Sequence, residues 1–141
     1  MEVTLDRLEH FAKEFVHSLP SNHGEKAYVV GLQGDLGAGK TTFVQAVAQV
    51  LGVKSRVTSP TFVIAQRYDT THPVFTHLVH VDAYRLSDET GDTIGFMDYV
   101  RDPHTLVLVE WPEHLPVEFP KDAPILKFST VNETERNIEY A

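Results

Sequence analysis

A chain of 141 residues with 42% hydrophobic content can bury one real core and leaves little for a second, so residues 1–141 read as a single domain. Its 20 acidic against 12 basic side chains give a formal charge of −8, which argues against a broad nucleic-acid footprint, because neutralising phosphates needs clustered Lys and Arg. With no cysteine, disulfides, thiolate metal sites and cysteine nucleophiles are excluded.

The stretch MEVTLDRLEHFAKEF is charged and periodic, unlike the continuous apolar run of a signal peptide. No segment approaches the roughly 18 apolar residues that span a bilayer, so a cytoplasmic protein without a membrane partner is expected. Leu5, Leu8, Phe11, Phe15 and Leu19 recur at spacings of three and four and predict an amphipathic helix that PSNHGEK ends. AYVVGLQ, residues 27–33, is β-branched and aromatic and predicts a buried strand. Phe43, Val44, Val47 and Leu51 predict a helix over residues 40–51, with Gly52 as its C-terminal cap. The remainder reads as short strands, RVTS, FVIAQRYD, FTHLVHVD, TLVLVE, ILKFST and NIEYA, with further helical material only within residues 84–100.

Between the first strand and the second helix, residues 34–41 match G-x-x-x-x-G-K-[ST] at every specified position. The glycines let backbone N–H groups converge on phosphate oxygens, the helix start adds its positive end, and Lys40 reaches the outer phosphates. Thr41 places a hydroxyl for Mg²⁺. The expected fold is therefore α/β, a small three-layer P-loop NTPase-like domain with a strand-rich mixed sheet and few helices.

Such a loop needs an acidic residue at the end of a neighbouring buried strand. Glu110 closes the apolar run 106–109, and Asp82 closes FTHLVHVD. Both are expected at the carboxyl edge of the sheet. Side chains alternate along a strand, so His80 and Asp82 share a face while His77 and His80 point oppositely, which makes H-x-x-H a poor metal pair. SPTF at residues 59–62 reads either as a plain turn or as a switch-like loop whose Ser59 and Thr61 hydroxyls approach a γ-phosphate or its metal. Trp111, the single tryptophan, is either a core anchor or a pocket wall.

The blocks GDLGAGKTTF (34–43), SPTF (59–62), HVDAYRL (80–86) and LVEWPE (108–113), with IGFMDYV at 94–100, together resemble the TsaE (YjeE) family of bacterial P-loop ATPases across nearly the whole chain. The resemblance implies an ATP-binding subunit that hydrolyses ATP weakly by itself. It implies TsaD and TsaB as partners, which transfer threonylcarbamoyl to an adenosine of tRNA, so that tRNA is met indirectly and this subunit regulates or resets their complex.

Carried onto this chain, it assigns Gly37, Ala38, Gly39, Lys40, Thr41 and Thr42 to the ATP phosphates and Thr41 with Glu110 to magnesium. Asp82 then organises the γ-phosphate or the attacking water, and Trp111 neighbours the nucleotide. Arg136 lacks the glycine that precedes the family's tail arginine, and Arg85 stands three residues beyond Asp82. Two other classes share a phosphate loop. One is a small-molecule or nucleoside kinase, although no arginine-rich lid is evident. The other is a GTPase-like switch, for which DETG at 88–91 mimics D-x-x-G but N-K-x-D is absent.

Overall fold

The computed structural model describes residues 2–4, 7–20, 25–35, 38–54, 65–83, 99–114, 119–120 and 123–140. In chain order the elements are β1 (Glu2–Thr4), α1 (Leu8–Ser18), β2 (Tyr28–Gln33), α2 (Lys40–Leu51), β3 (Ala65–Asp69), β4 (His77–Asp82), β5 (Thr105–Glu110), a 3-10 turn (Pro112–His114), β6 (Ile125–Thr130) and β7 (Glu135–Tyr140). The described strands join one sheet in the order β1-β7-β6-β2-β5-β4-β3.

At its centre β6, β2, β5 and β4 run parallel, while β3, β7 and β1 pair antiparallel at the flanks. The runs YVVGLQ and TLVLVE suit this arrangement, because a parallel strand covered on both faces has no solvated side to alternate toward. Every residue of β5 is buried.

One face of the sheet carries both described helices. Leu32, Leu78, Leu106, Leu108 and Leu126 pack there with Phe15 of α1 and Phe43, Val44 and Val47 of α2. Phe43 is the pivot, its ring 5.7 Å from Phe11, 5.2 Å from Phe15 and 5.5 Å from Phe128. Its removal would cost about 3–5 kcal/mol, since it joins both helices to β6. The opposite face buries Val29, Val79, Val81, Val107 and Val109 beneath Val100, Phe119 and Ala123. The fold is thus the expected α/β arrangement, a mixed sheet with two α-helices among the described residues; most of the stretch 84–100, where further helix was expected, lies outside them.

Some boundaries shift, and the strand expected as NIEYA begins earlier, at Glu135. The periodic stretch predicts helix from Leu5, but α1 begins at Leu8 and Glu2–Thr4 instead pair with Glu135–Asn137 of β7. A three-residue edge strand owes its form to a distant partner, which local periodicity does not register. FTHLVHVD also starts late, at His77. RVTS lies outside the described residues, as does the first part of FVIAQRYD. Among the described residues no helix is long and apolar enough to cross a membrane.

Candidate functional site

Three strand ends meet at one edge of the sheet. Leu32 of β2 pairs with Glu110 of β5, and Glu110 pairs with Asp82 of β4. The phosphate-loop sequence and both predicted carboxylates therefore emerge together at the carboxyl edge, where open parallel sheets bind ligands. Leu108 and Leu78 face α2, so strand alternation turns Glu110, His80 and Asp82 to that same side.

The described part of the loop depends on its glycines. Gly34 adopts φ +150°, and a Cβ there would stand 2.4 Å from the Phe128 carbonyl oxygen. Gly39 adopts φ +100° as it enters α2. Among the described residues no side chain caps this helix start, and its first turn carries no acidic residue. Its N-terminal N–H groups can accordingly serve an anion. Ala38 is buried and Thr42 is exposed. Gly37 lies outside the described residues, as do Ser59, Thr61, Arg85 and DETG.

Lys40 is 4% exposed. Its ammonium donates to the Gly34 carbonyl and, at 3.2 Å, to that of Asp35, and it stands 4.0 Å from the centroid of the Trp111 ring. Desolvation pulls its pKa below the ordinary lysine value, and the carboxylates of Glu110, Glu113, Asp82 and Asp35 oppose that pull. A lysine ammonium that feels four carboxylates among the described residues is a poor host for a bare triphosphate and a good one for a triphosphate accompanied by a divalent cation.

The Thr41 hydroxyl lies 3.0 Å from Oε1 and 2.9 Å from Oε2 of Glu110. Glu110, itself 4% exposed, also accepts from Nε2 of the wholly buried His80 at 2.5 Å. A hydroxyl and a carboxylate converging in this way are hard oxygen donors of the kind magnesium takes from protein when phosphates and water supply the rest, so the residues present fit that ion. His77 points the other way, bonded to Asp69 at 3.0 Å and Arg67 at 2.7 Å, as strand alternation predicts.

Trp111 leaves β5 with φ +59°, in the left-handed region that a bulky residue enters at a cost of about 1–2 kcal/mol. Its backbone N–H donates to the Leu32 carbonyl at 3.1 Å, and its indole stacks on His114 at 5.2 Å. With Gln33, Gly34, Asp35 and Asn137 it lines a groove of 380 Å³. Arg136, left open by the sequence, brings its Cγ within 3.8 Å of where a Cβ on Gly39 would stand, while its Nη1 donates to the carbonyls of Asn132 and Glu135. The structure thus gathers Ala38, Gly39, Lys40, Thr41, Asp82, Glu110 and Trp111 at one edge. The sequence signalled neither the His80–Glu110 bond nor the Lys40–Trp111 stack, although the shared face of His80 and Asp82 was a partial cue.

A family model described as threonylcarbamoyl adenosine biosynthesis protein TsaE matches residues 4–138. The chain is 37% identical over 130 residues to the tRNA threonylcarbamoyladenosine biosynthesis protein TsaE of Haemophilus influenzae, covering 92% of this chain and 79% of that one. It is 36% identical to the protein of the same name from Bacillus subtilis, over 79% of this chain and 68% of the relative. Among solved structures, the crystal structure of YdiB from Bacillus subtilis superposes with a TM-score of 0.72 at 26% identity, covering 99% of this chain and 83% of the other.

Proposed function

The chain belongs to the TsaE family of threonylcarbamoyl adenosine biosynthesis proteins, and from that premise we propose that it is a magnesium-dependent ATPase of low intrinsic activity serving the threonylcarbamoylation of tRNA. The observation that carries this reading is the bond of the phosphate-loop Thr41 hydroxyl to the buried carboxylate of Glu110, whose charge is also felt by the neighbouring Lys40. Family membership favours it over the kinase and the guanine-nucleotide switch, which share only the phosphate loop.

In this reading the N–H groups at the start of α2 and the Lys40 ammonium hold the outer phosphates of ATP. To do so Lys40 exchanges its bonds to the Gly34 and Asp35 carbonyls for phosphate oxygens, a small reorganisation of one side chain. Thr41 and Glu110 hold magnesium, which when bound offsets the charge spreading over the phosphoryl oxygens. Asp82, adjacent to Glu110 in register, orients the attacking water. Trp111 walls the site beside Lys40. Slow turnover in isolation, with acceleration in a complex, follows on this reading if partner proteins complete the site.

The partners in this proposal are TsaD and TsaB, with tRNA met through them. Reconstitution tests it: TsaD, TsaB and substrate tRNA are assayed for multiple-turnover modification with and without this protein. Sustained turnover only when the protein and hydrolysable ATP are both present is the expected result. Equal turnover without the protein, or with a Lys40→Ala variant in its place, would remove the assignment.

A further inference from the structure

We propose that His80 is a positioning residue for Glu110, fixing the carboxylate against Thr41 so that their oxygens stand ready for a nucleotide-bound divalent cation. The inference rests on the reading of Glu110 as the cation's carboxylate.

His80 is wholly buried on the helix-facing side of β4, in a layer otherwise built from Leu78, Leu106 and Leu108. Its neighbours Val79 and Val81 show what β4 takes when only packing is at stake. An imidazole in such a layer is costly unless its polar atoms are bonded. Only one of them is. Nε2 meets Glu110 Oε2 at 2.5 Å, while Nδ1 is buried without a hydrogen-bond partner among the described residues.

The geometry also selects the tautomer. A carboxylate accepts, so the proton sits on Nε2, and the bare lone pair on Nδ1 is the less costly atom to leave unbonded. His80 therefore contributes one directed bond and a filled volume. The bond holds Oε2, and the Thr41 hydroxyl reaches both oxygens, at 2.9 and 3.0 Å. With His80 and Thr41 both in contact, the carboxyl group cannot rotate without breaking a contact. Outer partners of this kind commonly govern metal affinity by tenfold or more when removed from a ligand.

Three variants of the full chain separate positioning from packing. His80→Leu fills the volume without a donor, His80→Asn keeps polarity but is too short to reach Glu110, and His80→Gln restores an N–H donor of similar reach. The readouts are ATP affinity by calorimetry in EDTA and the Mg²⁺ concentration that half-restores full affinity. For Leu and Asn the magnesium midpoint is expected to rise by about tenfold, with ATP affinity in EDTA unchanged, and for Gln to stay within about threefold of the parent. An unchanged midpoint in whichever of Leu and Asn folds overturns the inference, as does a Gln variant that falls as far as they do. A parent protein whose ATP affinity ignores magnesium overturns the function proposed above as well, so the two failures are distinct.

Discussion

The Thr41 hydroxyl and the Glu110 carboxylate lie 69 residues apart in the chain and within 3.0 Å of each other in the fold. The contact joins the first turn of α2 to the end of β5, and Thr41→Ala removes it together with one methyl group. Losing one donor to a buried carboxylate is expected to lower stability by about 1–2 kcal/mol. If the pair also holds magnesium, ATP affinity should fall about tenfold with magnesium present and hardly at all in EDTA. Calorimetric titrations under both conditions, beside a thermal melt, measure the two effects. An equal loss of affinity in EDTA would place Thr41 on the phosphates alone.

Lys40 should behave oppositely in the empty and the nucleotide-bound protein. Burial is the largest influence on its pKa and lowers it. Lys40→Met is therefore expected to leave the stability of the free protein within about 1 kcal/mol of the parent, or to raise it, while reducing ATP affinity at least tenfold. The pH dependence follows in sign. With the folded pKa below the unfolded one, the unfolded chain binds more protons between the two values, so stability rises with pH across that window. ATP affinity falls across the same window as the ammonium is lost. Lys40→Met should abolish both slopes; melts and titrations from neutral pH into the alkaline range that show them persisting would assign them to another group.

What the sequence made legible follows from how local each signal is. The limits of α2 and β5, residues 40–51 and 105–110, were readable because an apolar stripe and an unbroken apolar run are carried by adjacent residues. So was the shared edge of Lys40, Asp82 and Glu110, which needs only strand ends and alternation. β1 was not readable, since three residues acquire strand form only against Glu135–Asn137. The His80–Glu110 bond depends on β4 lying beside β5, a neighbour relation that neither strand states by itself. Trp111 fell between two readings because its place beside Lys40 depends on a left-handed backbone that no bulky residue announces.

Asp82 and Glu110 occupy paired positions at the same edge, yet different roles are expected of them. Glu110 is buried and bonded to Thr41 and His80, whereas Asp82 is half-buried and nearer the solvent from which water comes. Asp82→Asn should keep the ATP dissociation constant within about threefold and reduce the hydrolysis rate at least tenfold. Single-turnover hydrolysis at saturating ATP measures the second quantity. A matching loss in affinity would merge Asp82 with the binding residues.

Trp111 supplies an optical report on Lys40. The ammonium stands 4.0 Å from the ring centroid while bonded to the Gly34 and Asp35 carbonyls. Phosphate binding would draw that charge from carbonyls to phosphate oxygens and alter the field across the indole. Trp111 is the chain's single tryptophan, so emission excited selectively at indole reports on it alone. ATP with magnesium should shift that emission along a saturable curve whose midpoint matches calorimetry. Lys40→Met should change the emission of the free protein and flatten the response to ATP, because the moving charge is gone. The control separates this origin from a general closing of the site. Thr41→Ala keeps the lysine, so its response should retain full amplitude and shift only in midpoint. A Lys40→Met protein that still answers ATP with the parent's amplitude would show that the indole senses something other than the lysine.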